Sequence, residues 1–101
     1  MDRTERISAA EAALDAARGA IDHFEAVLDE FEQAQREVNR VSSYVGSEDW
    51  FDDMDAHNRG EVSRTVKAGI LSQDLGYDLI VDNRELALRM LELATSILRN
   101  L

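Results

Sequence analysis

An apolar heptad repeat runs through the first half of the chain and limits what it can fold into. Two positions, three or four residues apart, stay mostly apolar over this repeat: Ile7, Leu14, Ile21, Leu28, Gln35 and Ser42 at the first, and Ala10, Ala17, Phe24, Phe31, Val38 and Val45 at the second. This spacing predicts one α-helix over residues 3–44, about 63 Å long. A helix of that length must bury its stripe against another helix.

A second helical pattern closes the chain. Ser72 is a suitable N-cap, and the apolar spacing after it predicts a helix over residues 73–100, about 42 Å long. Its stripe consists of Leu79, Leu86, Met90, Leu93 and Ile97. An antiparallel pairing would place its end near Ile7 and its start near Gln35. We therefore predict an all-α fold, a long antiparallel helical hairpin (coiled-coil-like) with a short helical corner between the two long helices, as a single domain over residues 1–101.

The segment between the long helices, residues 45–72, is called the corner. Gly46 suits a helix C-terminus, Ser47 suits the N-cap of a short helix, and Gly60 is expected to end that helix. Valine and isoleucine recur at helical spacing from residue 62 to residue 70, which predicts a further turn or two. The first helix outruns its partner near the corner, so other apolar side chains must cover its last turns. The candidates are Trp50, Phe51, Met54, Ile70 and Leu71.

A lane of small apolar residues flanks the first stripe where a two-stranded coiled coil usually carries charge. This wider apolar face is typical of a bundle of three or four helices. On the last helix, two apolar residues point away from the stripe. The lane on the first helix and these two residues on the last helix together predict a contact surface for a protein partner or a second copy in a homodimer. This surface consists of Ala13, Ala20, Val27, Val81 and Leu88.

Charge and composition exclude several classes of partner. The 101 residues carry a formal net charge of −10, which repels nucleic acid and anionic membranes. With no cysteine, the chain has no disulfide, thiolate metal site or cysteine nucleophile. No segment has the roughly 18 unbroken apolar residues of a membrane span, so we expect a cytoplasmic protein.

Acidic residues offer two patterns of possible chemistry. Asp53, Asp55 and His57 alternate as calcium-loop ligands do, but Asn58 and Arg64 stand where such a loop needs glycine and glutamate. Carboxylate pairs three residues apart, at positions 29 and 32 and at positions 49 and 52, keep open a magnesium-dependent enzyme like the all-α nucleotide pyrophosphohydrolases. Their helices present apolar lanes inward, so we predict no metal, no cofactor and no catalytic residues.

The motif "YVG" at residues 44–46 resembles the Trp-x-Gly turn of small secreted helical-hairpin proteins, which are also acidic and free of cysteine. Those proteins join their helices by a tight turn, whereas about 28 residues separate the long helices predicted here. A secreted hairpin of this type is the alternative to a cytoplasmic interaction or scaffold module.

Three stretches in a fixed order, "YVGSEDWFDD", "KAGILSQDLGYDL" and "NRELALRMLELATSIL", resemble the bacterial family known as domain of unknown function 4298. The likeness runs from about Arg6 to Leu98, with Ser63 in a position where the family often has proline. The resemblance implies a small acidic helical protein and no activity. Residues expected to build the corner or line a site beside it are Tyr44, Gly46, Ser47, Trp50, Tyr77, Asn83, Arg84 and Glu85.

Overall fold

The computed structural model describes residues 2–101, and 81% of the chain is helical, with no strand in the described residues. Three α-helices follow one another: α1 (Arg3–Tyr44), α2 (Glu48–Asn58) and α3 (Leu75–Arg99). A 3₁₀ turn at Gly69–Leu71 lies between α2 and α3. The predicted all-α class, with two long helices joined through a short helical corner, is confirmed.

The chain divides into two compact units, one of residues up to Gln35 and one of Arg36–Leu101. The first unit is the greater part of α1, and its apolar stripe is open: Ile7 is 56% exposed and Leu14 is 59% exposed. Burial of this stripe along its whole length, expected from the heptads, is therefore not observed in the single chain. Within residues 2–35, the half-buried residues are Phe31 and Gln35, near the end of this unit.

The second unit holds the core, which lies at the corner. Among residues 2–101 the buried hydrophobic side chains are Val45, 8% exposed, and Trp50, 3% exposed. Gly76, at the start of α3, is also buried. Val38 and Val41 in the last turns of α1 are half-buried. The aromatic corner thus packs the end of α1 against the beginning of α3, as the sequence predicts for Trp50.

Local capping signals give the boundary between α1 and α2. Gly46 adopts a φ of 81°, a left-handed conformation that suits glycine at a helix C-terminus. Ser47 is the N-cap of α2, and its Oγ accepts a hydrogen bond from the Trp50 backbone N–H at 3.2 Å. Glu48 and Asp49 lie in the first turn, where negative charge is favourable. These predictions are confirmed.

Two predictions for the rest of the corner are wrong. The extra helical turns expected from Val62 to Ile70 shrink to the single 3₁₀ turn. Ser63 Oγ accepts a hydrogen bond from the Thr65 backbone N–H at 3.3 Å, and such local bonds compete with helix formation. The last helix starts at Leu75 and not at residue 73, because residues 73–74 form a turn, although Ser72 Oγ still accepts a hydrogen bond from the Leu75 backbone N–H at 3.4 Å.

The two left-handed glycines give a prediction with an internal control. Gly60 has a φ of 74° and nothing within 4 Å of an added Cβ, so Gly60→Ala is expected to cost about 1–2 kcal/mol of backbone strain. Gly46→Ala should cost more, because its Cβ would also lie 3.1 Å from the Tyr77 hydroxyl oxygen. Urea unfolding followed by circular dichroism at one protein concentration checks the difference. Equal losses of stability for the two variants would show that the Tyr77 hydroxyl moves away from the added Cβ without cost.

Candidate functional site

Trp50 is the anchor of the corner. The Ser47 cap fixes the first turn of α2 and so places the indole over the core, where it is 3% exposed. Its Nε1–H donates a hydrogen bond to the Ile70 backbone carbonyl at 2.9 Å. A buried indole N–H needs such a partner. Trp50 therefore both fills the core and ties α2 to the 3₁₀ turn, 20 residues further along the chain.

Gly76 lets the first turn of α3 approach the end of α1. A Cβ at this position would collide with Val45 Cγ2 and would lie 3.4 Å from Ile70 Cδ1. The absence of a side chain thus allows Val45 to pack directly on the α3 backbone. This close approach joins the beginning of α3 to the corner.

Two further aromatic rings flank the indole. Tyr77 meets Trp50 edge-on, with ring centroids 6.1 Å apart and an interplanar angle of 89°. Phe51 meets it at 5.1 Å and 67°. Both flanking rings are about half exposed, so Phe51 lies at the edge of the core and does not fill it as expected. The aromatic cluster is a packing unit with an open rim.

Tyr44 closes the corner on its outer side. Its hydroxyl donates a 2.6 Å hydrogen bond to Asp53 Oδ2 on α2. This bond raises the pKa of Tyr44 from 10.0 to about 12, with smaller contributions from desolvation and from the Asp53 and Asp49 carboxylates. The bond is lost when the phenol ionises, so the neutral form is held in the folded protein.

The Tyr44 bond should be visible in a titration. Because Tyr77→Phe leaves Tyr44 as the only one of the two tyrosines, tyrosinate absorbance in that background is expected to rise with a midpoint near pH 12. The stabilising effect of the bond is fully present below pH 10 and is lost between about pH 10 and pH 12. Adding Asp53→Ala should lower the midpoint. An unchanged midpoint would mean that the carboxylate is not the partner.

The three polar residues predicted beside the corner lie further along α3. Asn83 is half-buried, whereas Arg84 and Glu85 are exposed. They stand about two helical turns after Tyr77, beyond the cluster around Trp50. The structure thus brings together Tyr44, Gly46, Ser47, Trp50 and Tyr77, and leaves Arg84 and Glu85 on the surface.

The acidic residues do not converge on a common point. Within residues 2–101, no group of three or more histidine, cysteine, aspartate or glutamate side chains is placed to hold a metal ion. Asp53 is engaged by Tyr44, and Glu48 and Asp49 lie at the α2 N-terminus. Asp29 and Glu32 are exposed on α1.

Among residues 2–101, none of the helices combines the length and the apolar character of a membrane-spanning segment.

The five residues predicted as a contact surface are all exposed. Val27 is 42% exposed, Leu88 is 43% exposed, and Val81, Ala13 and Ala20 are likewise open. They belong to a larger set of open apolar side chains on the two long helices. The most exposed members on α3 include Leu91, Leu93, Ile97 and Leu98.

Sequence reasoning missed two partners in the corner. The Ile70 carbonyl that accepts from Trp50 has no sequence signal, because every residue carries a carbonyl. Gly76 carried a usable signal, since a glycine in the first turn of a helix lowers helix propensity and marks a close approach.

No curated protein matches the chain with significant similarity. No solved structure matches it either. The family model described as a domain of unknown function, DUF4298, matches residues 7–93, which include the stripe of α1, the whole corner and the stripe of α3 as far as Leu93. The chain therefore belongs to the DUF4298 family.

Proposed function

We propose that this protein is a non-enzymatic interaction module that binds another protein chain through the apolar faces of α1 and α3. The observation that carries the proposal is the exposure of these faces. Apolar side chains recur along the length of both helices and stay about 40–70% exposed, with Ile7 and Leu98 among them. Large apolar side chains exposed at regular spacing along a helix are typical of a protein interface.

The distribution of apolar residues on α3 supports more than one helical neighbour. Ile80 and Met90 are half-buried, whereas Leu86, Leu88, Leu91 and Leu93 are exposed. At about 100° per residue, Leu88 and Leu93 point about 140° apart around the helix. A helix with apolar residues over so much of its circumference is stable in water only when several neighbours cover it.

The corner supports the same proposal, because its polar groups already have hydrogen-bond partners within the chain. Its indole N–H, its cap and its Tyr44 hydroxyl all have partners. No buried side-chain nitrogen or oxygen among the described residues lacks a hydrogen bond. A corner with these bonds already made serves to fix where α3 begins relative to the end of α1, and not to receive a ligand.

Site-specific photocrosslinking in the native cells tests the proposal. A photoreactive amino acid at Val27 or Leu88 is expected to form covalent adducts with a protein chain. The neighbouring residues Ala26 and Arg89 are matched controls, because the helical rotation of about 100° per residue turns them away from the apolar faces. We expect few or no adducts at these controls.

Two results would overturn the proposal. One is the lack of adducts at Val27 and Leu88, and the other is equal labelling at the apolar and control positions. The masses of the adducts also report the partner, because an adduct with a second copy has twice the chain mass of 11.4 kDa.

A further inference from the structure

We propose that the chain that covers these faces is a second copy of this protein, with α1 of each copy packed on α3 of the other. This inference rests on the proposed function and adds the partner. The pairing is reciprocal, so the same two surfaces are used twice around a two-fold axis. Four long helices then enclose one common core.

The amount of open surface favours a partner of this size. The chain exposes 8705 Å², whereas a folded monomeric protein of 11.4 kDa exposes about 5,800 Å². The excess is about 2,900 Å² per chain, well above the roughly 800 Å² per partner of a standard interface. The open surface is therefore sufficient for the roughly 2,000–5,000 Å² in total that obligate homodimers bury.

The side chains of the two faces have complementary sizes. The lane on α1 is built from small residues, with Ala13 and Ala20 followed by Val27. The outer face of α3 carries large residues, with Leu91 65% exposed and Leu98 68% exposed beside Leu88. Small residues facing large ones let two helices interdigitate at native density.

The distribution of charge favours packing of α1 on α3 of the other copy over packing of α1 on α1. Residues 11–32 of α1 carry seven acidic residues and one arginine, a net charge of −6. Two such segments side by side would repel each other. The α3 segment Leu75–Arg99 has four acidic residues and three arginines, a net charge of −1. An α1–α3 pair therefore avoids the strongest repulsion and offers arginines on α3, such as Arg84, as partners for the acidic helix.

Sedimentation of the purified protein is the first test. We expect a dimer of twice 11.4 kDa, and a dissociation constant that falls several-fold as salt rises from about 0.05 to about 0.5 M, because each chain carries −10. Val27→Asp and Leu88→Asp should each weaken the dimer about 100-fold or more. Ala26→Asp adds the same charge on the outer face of α1 and should leave the dissociation constant of the dimer nearly unchanged.

Cysteine pairing identifies which faces meet and does not depend on the aspartate variants folding. The chain contains no cysteine, so single cysteines at Ala13, Ala20 or Val27 can be mixed with single cysteines at Val81 or Leu88. A thiol-reactive crosslinker with an arm of about 8–10 Å is expected to join at least one mixed pair in high yield. Arg40→Cys, on the outer side of α1, should give little product.

The outcomes separate this inference from the proposed function. A monomer at every salt and protein concentration overturns the second copy, while crosslinks in cells to a different protein leave the interaction module in place. Predominant α1–α1 crosslinks in a dimer overturn the pairing of α1 with α3. Dimer formation unaffected by both aspartate variants overturns the proposed faces.

Discussion

Trp50→Ala is expected to lower the free energy of unfolding by about 3–5 kcal/mol, the range for removing a large buried aromatic side chain. The indole is 3% exposed and Val45 is the other buried hydrophobic side chain among the described residues, so little else could fill the space. The change also removes the Nε1–H bond to the Ile70 carbonyl. Urea unfolding followed by circular dichroism, at a fixed protein concentration, measures the loss.

Two variants separate the contributions to this effect. Trp50→Phe keeps much of the apolar volume but leaves the Ile70 carbonyl without its donor, so we expect a loss of about 1–3 kcal/mol. Phe51→Ala removes a neighbouring ring that is 54% exposed, and the loss should be clearly smaller than for Trp50→Ala. Similar losses for Trp50→Ala and Phe51→Ala would show that the indole is not the core of the corner.

Gly76→Ala is expected to destabilise the protein by about 1–3 kcal/mol, although alanine is the better helix former. The new Cβ would collide with Val45 Cγ2. Valine is stiff about χ1, so it cannot move aside without cost. Val45 is also buried, and its displacement would disturb the packing around Trp50. The same urea unfolding measurement gives the change.

Gly19→Ala is the matched control, because Gly19 lies inside α1 with nothing within 4 Å of an added Cβ. We expect it to stabilise the protein by up to about 1 kcal/mol through helix propensity alone. The double variant Val45→Ala, Gly76→Ala should lose less unfolding free energy than the sum of the two single variants. Alanine at position 45 is smaller than valine and leaves room for the Cβ added at position 76. Stabilisation by Gly76→Ala alone would mean that α3 does not approach Val45 closely.

The features that the sequence predicts well are local ones. The heptad pattern from Ile7 predicts a first helix over residues 3–44, and α1 is found at Arg3–Tyr44. The glycine and serine at positions 46 and 47 predict a stop and a cap, and both are present. Helical period and capping depend on neighbours a few residues apart, so one sequence is enough to reveal them.

The features that the sequence predicts poorly depend on what surrounds a residue. An apolar stripe shows that a helix face must be covered, but not whether the cover comes from the same chain. The heptads predict burial of Ile7 and Leu14, and both are more than half exposed. Likewise, Val62 and Val66 have helical spacing, but local hydrogen bonds around Ser63 hold that segment in turns. The corner anchor was predictable because Trp50 is a large apolar residue beside a cap.

The hydrogen bonds of the corner are made within one chain, whereas we propose that the apolar faces of the long helices are covered by a second chain. A long helix with an uncovered apolar stripe is only marginally stable in water. Its amide hydrogens should therefore exchange faster when the chains separate, while those of a complete core should not. The exposure of single side chains in one chain already differs in this way, since Val45 at the corner is 8% exposed and Leu14 on α1 is 59% exposed.

Hydrogen exchange measured by mass spectrometry at high and at low protein concentration distinguishes a corner that is stable in one chain from helix faces that need a second. We expect protection of residues 7–30 and 86–98 to fall on dilution below the dimer dissociation constant, while residues 45–55 and 70–80 keep theirs. Equal protection of both sets at every concentration, in a protein that sediments as a monomer, is incompatible with faces that need a second chain.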